Sequence, residues 1–193
     1  MVAVTRNNLG LLHFQFGDFY KALEYLEKVL DVRLKLLNDK EKITKNLFIE
    51  LSGTYNNLAN VAIEMGDNYK SLDYYQQSVK VLNDGFADAK IKPQIYQTEL
   101  AIKYHNIAGV YLRLKEYFKA LAFYRKSLET KYKIYNPDHV EISITYNNIS
   151  LVHEKLHNID SAMYYNKKAL SIRISKLNEN HVLIASCYLN LGN

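Results

Sequence analysis

Four stretches of this chain, opening at Asn8, Asn57, Asn106 and Asn148, align with one another without a gap. They read NLGLLHFQFGDFYKALEYLEKVL, NLANVAIEMGDNYKSLDYYQQSV, NIAGVYLRLKEYFKALAFYRKSL and NISLVHEKLHNIDSAMYYNKKAL, and a fifth start, NLGN, stands at Asn190. The anchors are 49, 49, 42 and 42 residues apart. A period of this length marks architectures that stack one supersecondary unit, because a single unit cannot bury its apolar face alone.

The content of each unit says what that motif is. An apolar residue follows the anchor (Leu9, Leu58, Ile107, Ile149) and a small one comes next (Gly10, Ala59, Ala108, Ser150). A second small residue stands fourteen after the anchor, at Ala22, Ser71, Ala120 and Ala162. Apolar residues recur at helical spacing on both sides of a polar break, as in Leu9, Leu12, Phe16 and again in Ala120, Leu121, Tyr124, Leu128. Each unit therefore reads as two antiparallel helices that touch at the small residues. Asp18, Asp67, Glu116 and Asn158 stand at the break, placed to satisfy free N–H groups at the second helix's start. Pro93 and Pro137 fall between units, where proline is tolerated near a helix start. The chain has 7 Gly and 2 Pro in 193 residues, too few for an all-β chain with turns at short intervals. At 48% hydrophobic it is also too apolar for disorder.

The two 49-residue spacings carry seven residues more than the other two, about two helical turns. Lengthened helices account for the first. For the second, Asn83-Asp84-Gly85 is a turn signal, so a longer loop remains an equal alternative.

The pattern resembles the tetratricopeptide repeat. The 42-residue spacing, the Tyr55–Leu58 and Tyr146–Ile149 starts and the Asn136–Val140 link are similar to the kinesin-light-chain-like subclass. The resemblance implies an all-α, right-handed superhelical solenoid of antiparallel helix hairpins. It has four complete repeats and part of a fifth, at roughly 4–37, 47–83, 94–135, 138–177 and 180–193. It also implies that first helices line a concave groove and second helices face outward. Groove positions are then Asn7, Asn8, Asn56, Asn57, Asn60, His105, Asn106, Asn147 and Asn148, with Leu11, Gly109 and Leu151 beside them. Asparagine offers a donor and an acceptor, so a row of them suits the backbone of an extended peptide. Equally, it suits bonds between adjacent repeats. Members that grip a C-terminal carboxylate resemble one another in carrying Lys or Arg at, one before or four before the anchor. Here those places hold asparagine or His105, and Val4, Gly53, Ile102 and Ile144, so that mode is not expected.

The net charge of +5 gathers in the C-terminal half. Lys119, Arg125, Lys126, Lys131, Lys133, Lys167, Lys168 and Arg173 lie mostly on second helices and read as a solvated outer face. Arg113, Lys155 and Lys103 fall nearer the groove and suggest a partner with some acidic residues. No aromatic–basic module for nucleic acid is present, and no apolar run is long enough for membrane insertion.

His153-Glu154-Lys155-Leu156-His157 matches H-E-x-x-H, the helical zinc-protease pattern. The register gives a simpler account. His153 falls with His13 and Tyr111 at a packing position, and His157 falls with Gly17, Gly66 and Lys115 at the turn. Glu179, the available third ligand, sits in an inter-repeat link. His139 and His181 read as helix-start residues, Cys187 as a small buried thiol, and Tyr74, Tyr75, Tyr124, Tyr164 and Tyr165 as packing between hairpins. No catalytic residue, cofactor or metal is expected.

The leading expectation is a non-catalytic scaffold that holds a peptide or helix of a partner protein. The alternative is a ligand-sensing or regulatory segment of a larger enzyme or signalling protein. One cysteine and no signal or membrane segment suggest a cytoplasmic setting. Neither end carries a polar capping element, so the chain reads as a cut through a longer solenoid with other domains attached. Its last helix is expected to fray or self-associate.

Overall fold

The computed structural model describes residues 2–44, 46–178 and 181–192. They form nine α-helices and one short 3-10 turn, with no strand among the described residues. The helices are α1 (Val2–Gln15), α2 (Phe19–Asn38), α3 (Leu47–Glu64), α4 (Asn68–Ala87), α5 (Pro93–Arg113), α6 (Tyr117–Lys131), α7 (Val140–Lys155), α8 (Ile159–Lys176) and α9 (Val182–Gly192). Two compact units divide the chain, residues 1–99 and 100–193. In the first, α1 packs on α2, α2 on α3 and α3 on α4. In the second, α6 packs on α7, α7 on α8 and α8 on α9.

Every hairpin turns at the same place in the register. Nine residues after the anchor the backbone passes through positive φ, at Gly17 (77°), Gly66 (84°), Lys115 (60°) and His157 (56°). The next residue caps the second helix. Asp18 accepts a hydrogen bond from Lys21 N at 3.3 Å, Asp67 from Lys70 N at 2.9 Å, and Asn158 from Ser161 N at 3.2 Å. Glu116 departs from the expectation: its longer side chain makes no cap bond and pairs with the Lys119 ammonium instead. Pro93 is the first residue of α5. His139 and His181 start α7 and α9, their Nδ1 atoms accepting from Glu141 N at 3.2 Å and Leu183 N at 3.1 Å.

The small residues sit where the two helices of a hairpin meet. A Cβ on Gly10 would lie 3.0 Å from Leu26 Cγ and 3.4 Å from the Ala22 carbonyl. Ser150 Oγ donates to the Ala162 carbonyl at 2.7 Å. Around these contacts unit 1 buries Ala22, Leu26, Leu58 and Val61, and a second cluster of Phe48, Leu51, Val81, Leu82 and Ile91. Unit 2 buries Ala108, Ala120, Leu121, Tyr124, Ile149 and Val152, and then Ile142, Tyr146, Ala169 and Cys187.

The seven extra residues of the first two spacings extend helices in both cases. Compared with the third unit, α2 and α4 have 20 residues each against 15 in α6, and α3 and α5 begin ten and thirteen residues before their anchors against eight for α7. Asn83-Asp84-Gly85 lies inside α4 and makes no turn. Gly85 is there for space: a Cβ would stand 2.6 Å from Phe48 Cβ and 2.9 Å from Ile91 Cδ1.

The outer-face reading of the second-helix cations holds for Lys119, Arg125, Lys126, Lys167 and Lys168, which are exposed, as is Lys133 in the turn after α6. It fails for Lys131 and Arg173, which are 3% and 1% exposed, and Arg33 joins them at 6%. All three stand twenty-five residues after their anchors. Each donates to a backbone carbonyl of the next first helix: Arg33 to Glu50 at 2.8 Å, Lys131 to Glu141 at 2.9 Å, Arg173 to Leu183 at 2.6 Å. The Glu50 and Glu141 carboxylates pair with Arg33 and Lys131 at 3.3 and 3.0 Å. These cations tie one hairpin to the next. Tyr75 and Tyr124 are buried, but Tyr164 is 54% exposed, edge-on to Tyr165 and beneath the Lys168 ammonium.

Candidate functional site

Residues four before the anchor, at the anchor, and three and seven after it share one face of a first helix, since a turn is 3.6 residues. In unit 1 this stripe is Val4, Asn8, Leu11 and Gln15 on α1, and Gly53, Asn57, Asn60 and Glu64 on α3. Its amides are already engaged in stacking. Asn57 Nδ2 donates to Asn7 Oδ1 at 3.4 Å, joining two successive first helices. Asn60 Oδ1 accepts from the Tyr75 hydroxyl at 2.5 Å, joining first helix to second. Asn8 is exposed and Asn56 is half-buried.

In unit 2 the stripe is Ile102, Asn106, Gly109 and Arg113 on α5, and Ile144, Asn148, Leu151 and Lys155 on α7. The same stacking bond recurs: Asn148 Nδ2 lies 3.0 Å from His105 Nε2. Burial, with a smaller contribution from the Lys131 charge, pushes the His105 pKa down to about 4, so the ring is neutral and accepts. Asn190 Nδ2 reaches Asn147 Oδ1 at 3.4 Å, and Arg173 reaches the same oxygen at 3.2 Å. Thus the anchor asparagine braces the residue before the previous anchor. Asn106 is half-buried.

Four stripe residues also line a concavity of about 500 Å3 between α5 and α7: Gly109, Arg113, Leu151 and Lys155, with Leu112, Lys115 and Tyr117 completing it. Gly109 leaves its floor open, since a Cβ there would meet nothing closer than the Tyr124 hydroxyl at 3.8 Å. Among the described residues Arg113, which is exposed, makes no ion pair, and Lys155 pairs with its neighbour Glu154 alone, at 3.1 Å. Lys103, expected near them, is instead 3% exposed. The arrangement offers cations and an apolar floor.

Sequence profiles of the tetratricopeptide repeat match residues 2–40, 52–81 and 99–175. The chain belongs to the tetratricopeptide-repeat family. Among solved structures it is similar to BtubC (BKLC) from P. vanneervenii, with 22% identity and a TM-score of 0.74 over 95% of this chain and 70% of that one. It is also similar to the putative kinesin light chain TPR-like repeats of Podosopora anserina, with 16% identity and a TM-score of 0.72 over 97% and 86%. The apo form of RapI matches with 17% identity and a TM-score of 0.79, over 99% of this chain and 47% of that one. No curated protein matches it by sequence. No helix among the described residues of this tetratricopeptide-repeat chain is long and apolar enough to cross a membrane.

The zinc pattern dissolves into the repeat register. His153 is 8% exposed and stacks on Tyr165 with centroids 5.6 Å apart, as His13 stacks on Tyr25 at 5.4 Å and Tyr111 on Phe123 at 5.4 Å. His157 is exposed at the turn. Glu179 lies outside the described residues. No group of three metal-ligating side chains forms among the described residues. Cys187 is buried, its thiol pushed up by burial, with Arg173 Nη1 3.0 Å away.

Proposed function

We propose that this chain is a non-catalytic scaffold whose first helices hold an extended peptide or a helix of a partner protein. The observation that carries this reading is the division of labour at the anchors. Asn57 and Asn148 each brace the preceding repeat through Nδ2, while their Oδ1 atoms accept no hydrogen bond among the described residues. A carbonyl held rigidly by its own amide is a preorganised acceptor for a backbone N–H. Asn7, Asn8, Asn56 and Asn60 complete the face in unit 1, and His105, Asn106 and Asn147 in unit 2. Arg113 and Lys155 favour acidic residues in the segment that lies over α5 and α7. The single buried thiol suits a reducing, cytoplasmic setting.

A displayed pool of short randomised peptides, selected on the protein, tests this. Recovered peptides should slow amide exchange on α1, α3, α5 and α7 and leave the exposed faces of α4 and α6 unchanged. Acidic binders should weaken at least tenfold with Arg113→Glu and Lys155→Glu. These exposed side chains leave the thermal melt in place. Protection confined to second helices, or affinity indifferent to both changes, contradicts the reading.

A further inference from the structure

A second cavity of unit 2, of about 470 Å3, lies off the first-helix stripe. It is lined by Phe118, Leu121, Ala122 and Arg125 of α6, by His153 of α7, and by Leu156 and Asn158 at the next turn. The corresponding register positions in unit 1 hold Tyr20, Leu23, Glu24 and Glu27 on α2, with Ala62, Met65 and Asp67. Two carboxylates there are replaced here by a methyl group and a guanidinium, and a methyl by an imidazole. The third and fourth repeats thus open the space and reverse its charge.

Several polar groups at this cavity have no partner among the described residues. Arg125 is exposed and makes no ion pair or hydrogen bond among the described residues. Asn158 spends its Oδ1 on the cap bond from Ser161 N, which leaves its side-chain N–H groups. His153 is 8% exposed, yet neither ring nitrogen has a hydrogen-bond partner among the described residues. Buried polar atoms without partners are uncommon and mark places where a further group belongs. Beside these donors the wall is apolar: Leu121 and Leu156, with Phe118 standing 78% exposed at the rim. A guanidinium fork suits a carboxylate, an exposed phenyl ring suits an aromatic face, and the volume suits a small organic molecule.

We propose that this cavity binds a small aromatic carboxylate. The ring lies against Phe118, Leu121 and Leu156, and the carboxylate accepts hydrogen bonds from Arg125 and Asn158 in front of His153. The site is separate from the first-helix face, and neither depends on the other.

Naphthalene-2-carboxylate, titrated into the full chain and followed by NMR, tests the proposal. The expected result is a saturable shift of the Ala122 methyl and the His153 ring protons. Burial, and after it the Arg125 charge, hold the His153 pKa below its ordinary value. A bound carboxylate that neutralises Arg125 should therefore raise it. Naphthalene-2-carboxamide, of the same shape without the charge, should bind at least tenfold more weakly. Arg125→Glu should cost the acid at least tenfold, and Ala122→Glu, which restores the first repeat's residue, should abolish binding. Both side chains are exposed, so the helical circular dichroism should be unchanged; Arg125→Gln serves if it is not. Equal affinity for acid and amide, undiminished binding to Arg125→Glu, or shifts that never saturate would overturn it.

Discussion

At each hairpin tip one residue carries positive φ, and two of the four tips place a side chain there, Lys115 and His157. A Cβ in the left-handed region crowds the carbonyl and costs more than the freedom glycine gives up. His157→Gly should therefore stabilise the chain by about 0.5–1 kcal/mol in urea unfolding. It should also leave helical content intact, although it destroys the H-E-x-x-H pattern. A fall in stability would show that the imidazole makes a contact at the tip. Glu116→Asp is expected to act in the same direction, by about 0.5 kcal/mol, because the shorter carboxylate can reach the N–H that Asp18 and Asp67 reach in their repeats. Thermal melts of Glu116→Asp beside Asp67→Ala, which should lose about 1 kcal/mol, measure both ends of that effect. The caps and tips were legible because register and residue type agree. Glu116 misleads because an acid at a helix start looks equivalent to aspartate, and only side-chain length separates them.

Between helices, two helical glycines, Gly85 in α4 and Gly109 in α5, behave in opposite ways. Gly85 lies within a turn-like Asn-Asp-Gly but is helical, and a Cβ would press into Phe48 at 2.6 Å. Gly85→Ala should lose about 1–3 kcal/mol through overpacking. Gly109→Ala meets only the Tyr124 hydroxyl at 3.8 Å and should gain up to about 1 kcal/mol from helix propensity. Paired urea titrations with opposite signs are the expected outcome. The turn signal failed because local propensity yields to packing when a neighbouring aromatic needs the space. The buried cations were missed for a related reason. Lys131 and Arg173 look like any exposed second-helix residue until Arg33 shows the shared offset and Glu50 and Glu141 show the partners. Arg173 has no carboxylate partner among the described residues; Ser143, Asn147, Leu183, Ser186 and Cys187 supply its acceptors from α7 and α9. Arg173→Met should cost about 1–3 kcal/mol as those acceptors lose their donor. Amide exchange should then speed up first across residues 183–190.

At the scale of the whole molecule, acid should act mainly through unit 2. His105 is held neutral by burial, with its pKa pushed from 6.5 to about 4, and burial also lowers His153. The unfolded chain takes up a proton at His105 as pH falls through 6.5, while the folded chain refuses it until about 4. Between those values the unfolded state binds more protons, so stability is full above 6.5, falls as pH drops, and levels below about 4. The integrated loss from His105 is about 3 kcal/mol. The repeats themselves supply the control. The residue before the anchor is asparagine in the first, second and fourth units (Asn7, Asn56, Asn147), and Asn7 and Asn147 accept the stacking bond that His105 accepts in the third. His105→Asn keeps an acceptor for Asn148 and removes the titrating group. Chemical denaturation from pH 7.5 down to pH 4 should give nearly equal stability for the two proteins at the upper end. Toward the lower end the variant should hold the advantage. A variant that loses stability as steeply as the parent would move the acid sensitivity to His153, where the ring stacked on Tyr165 must accept the proton with no hydrogen-bond partner among the described residues.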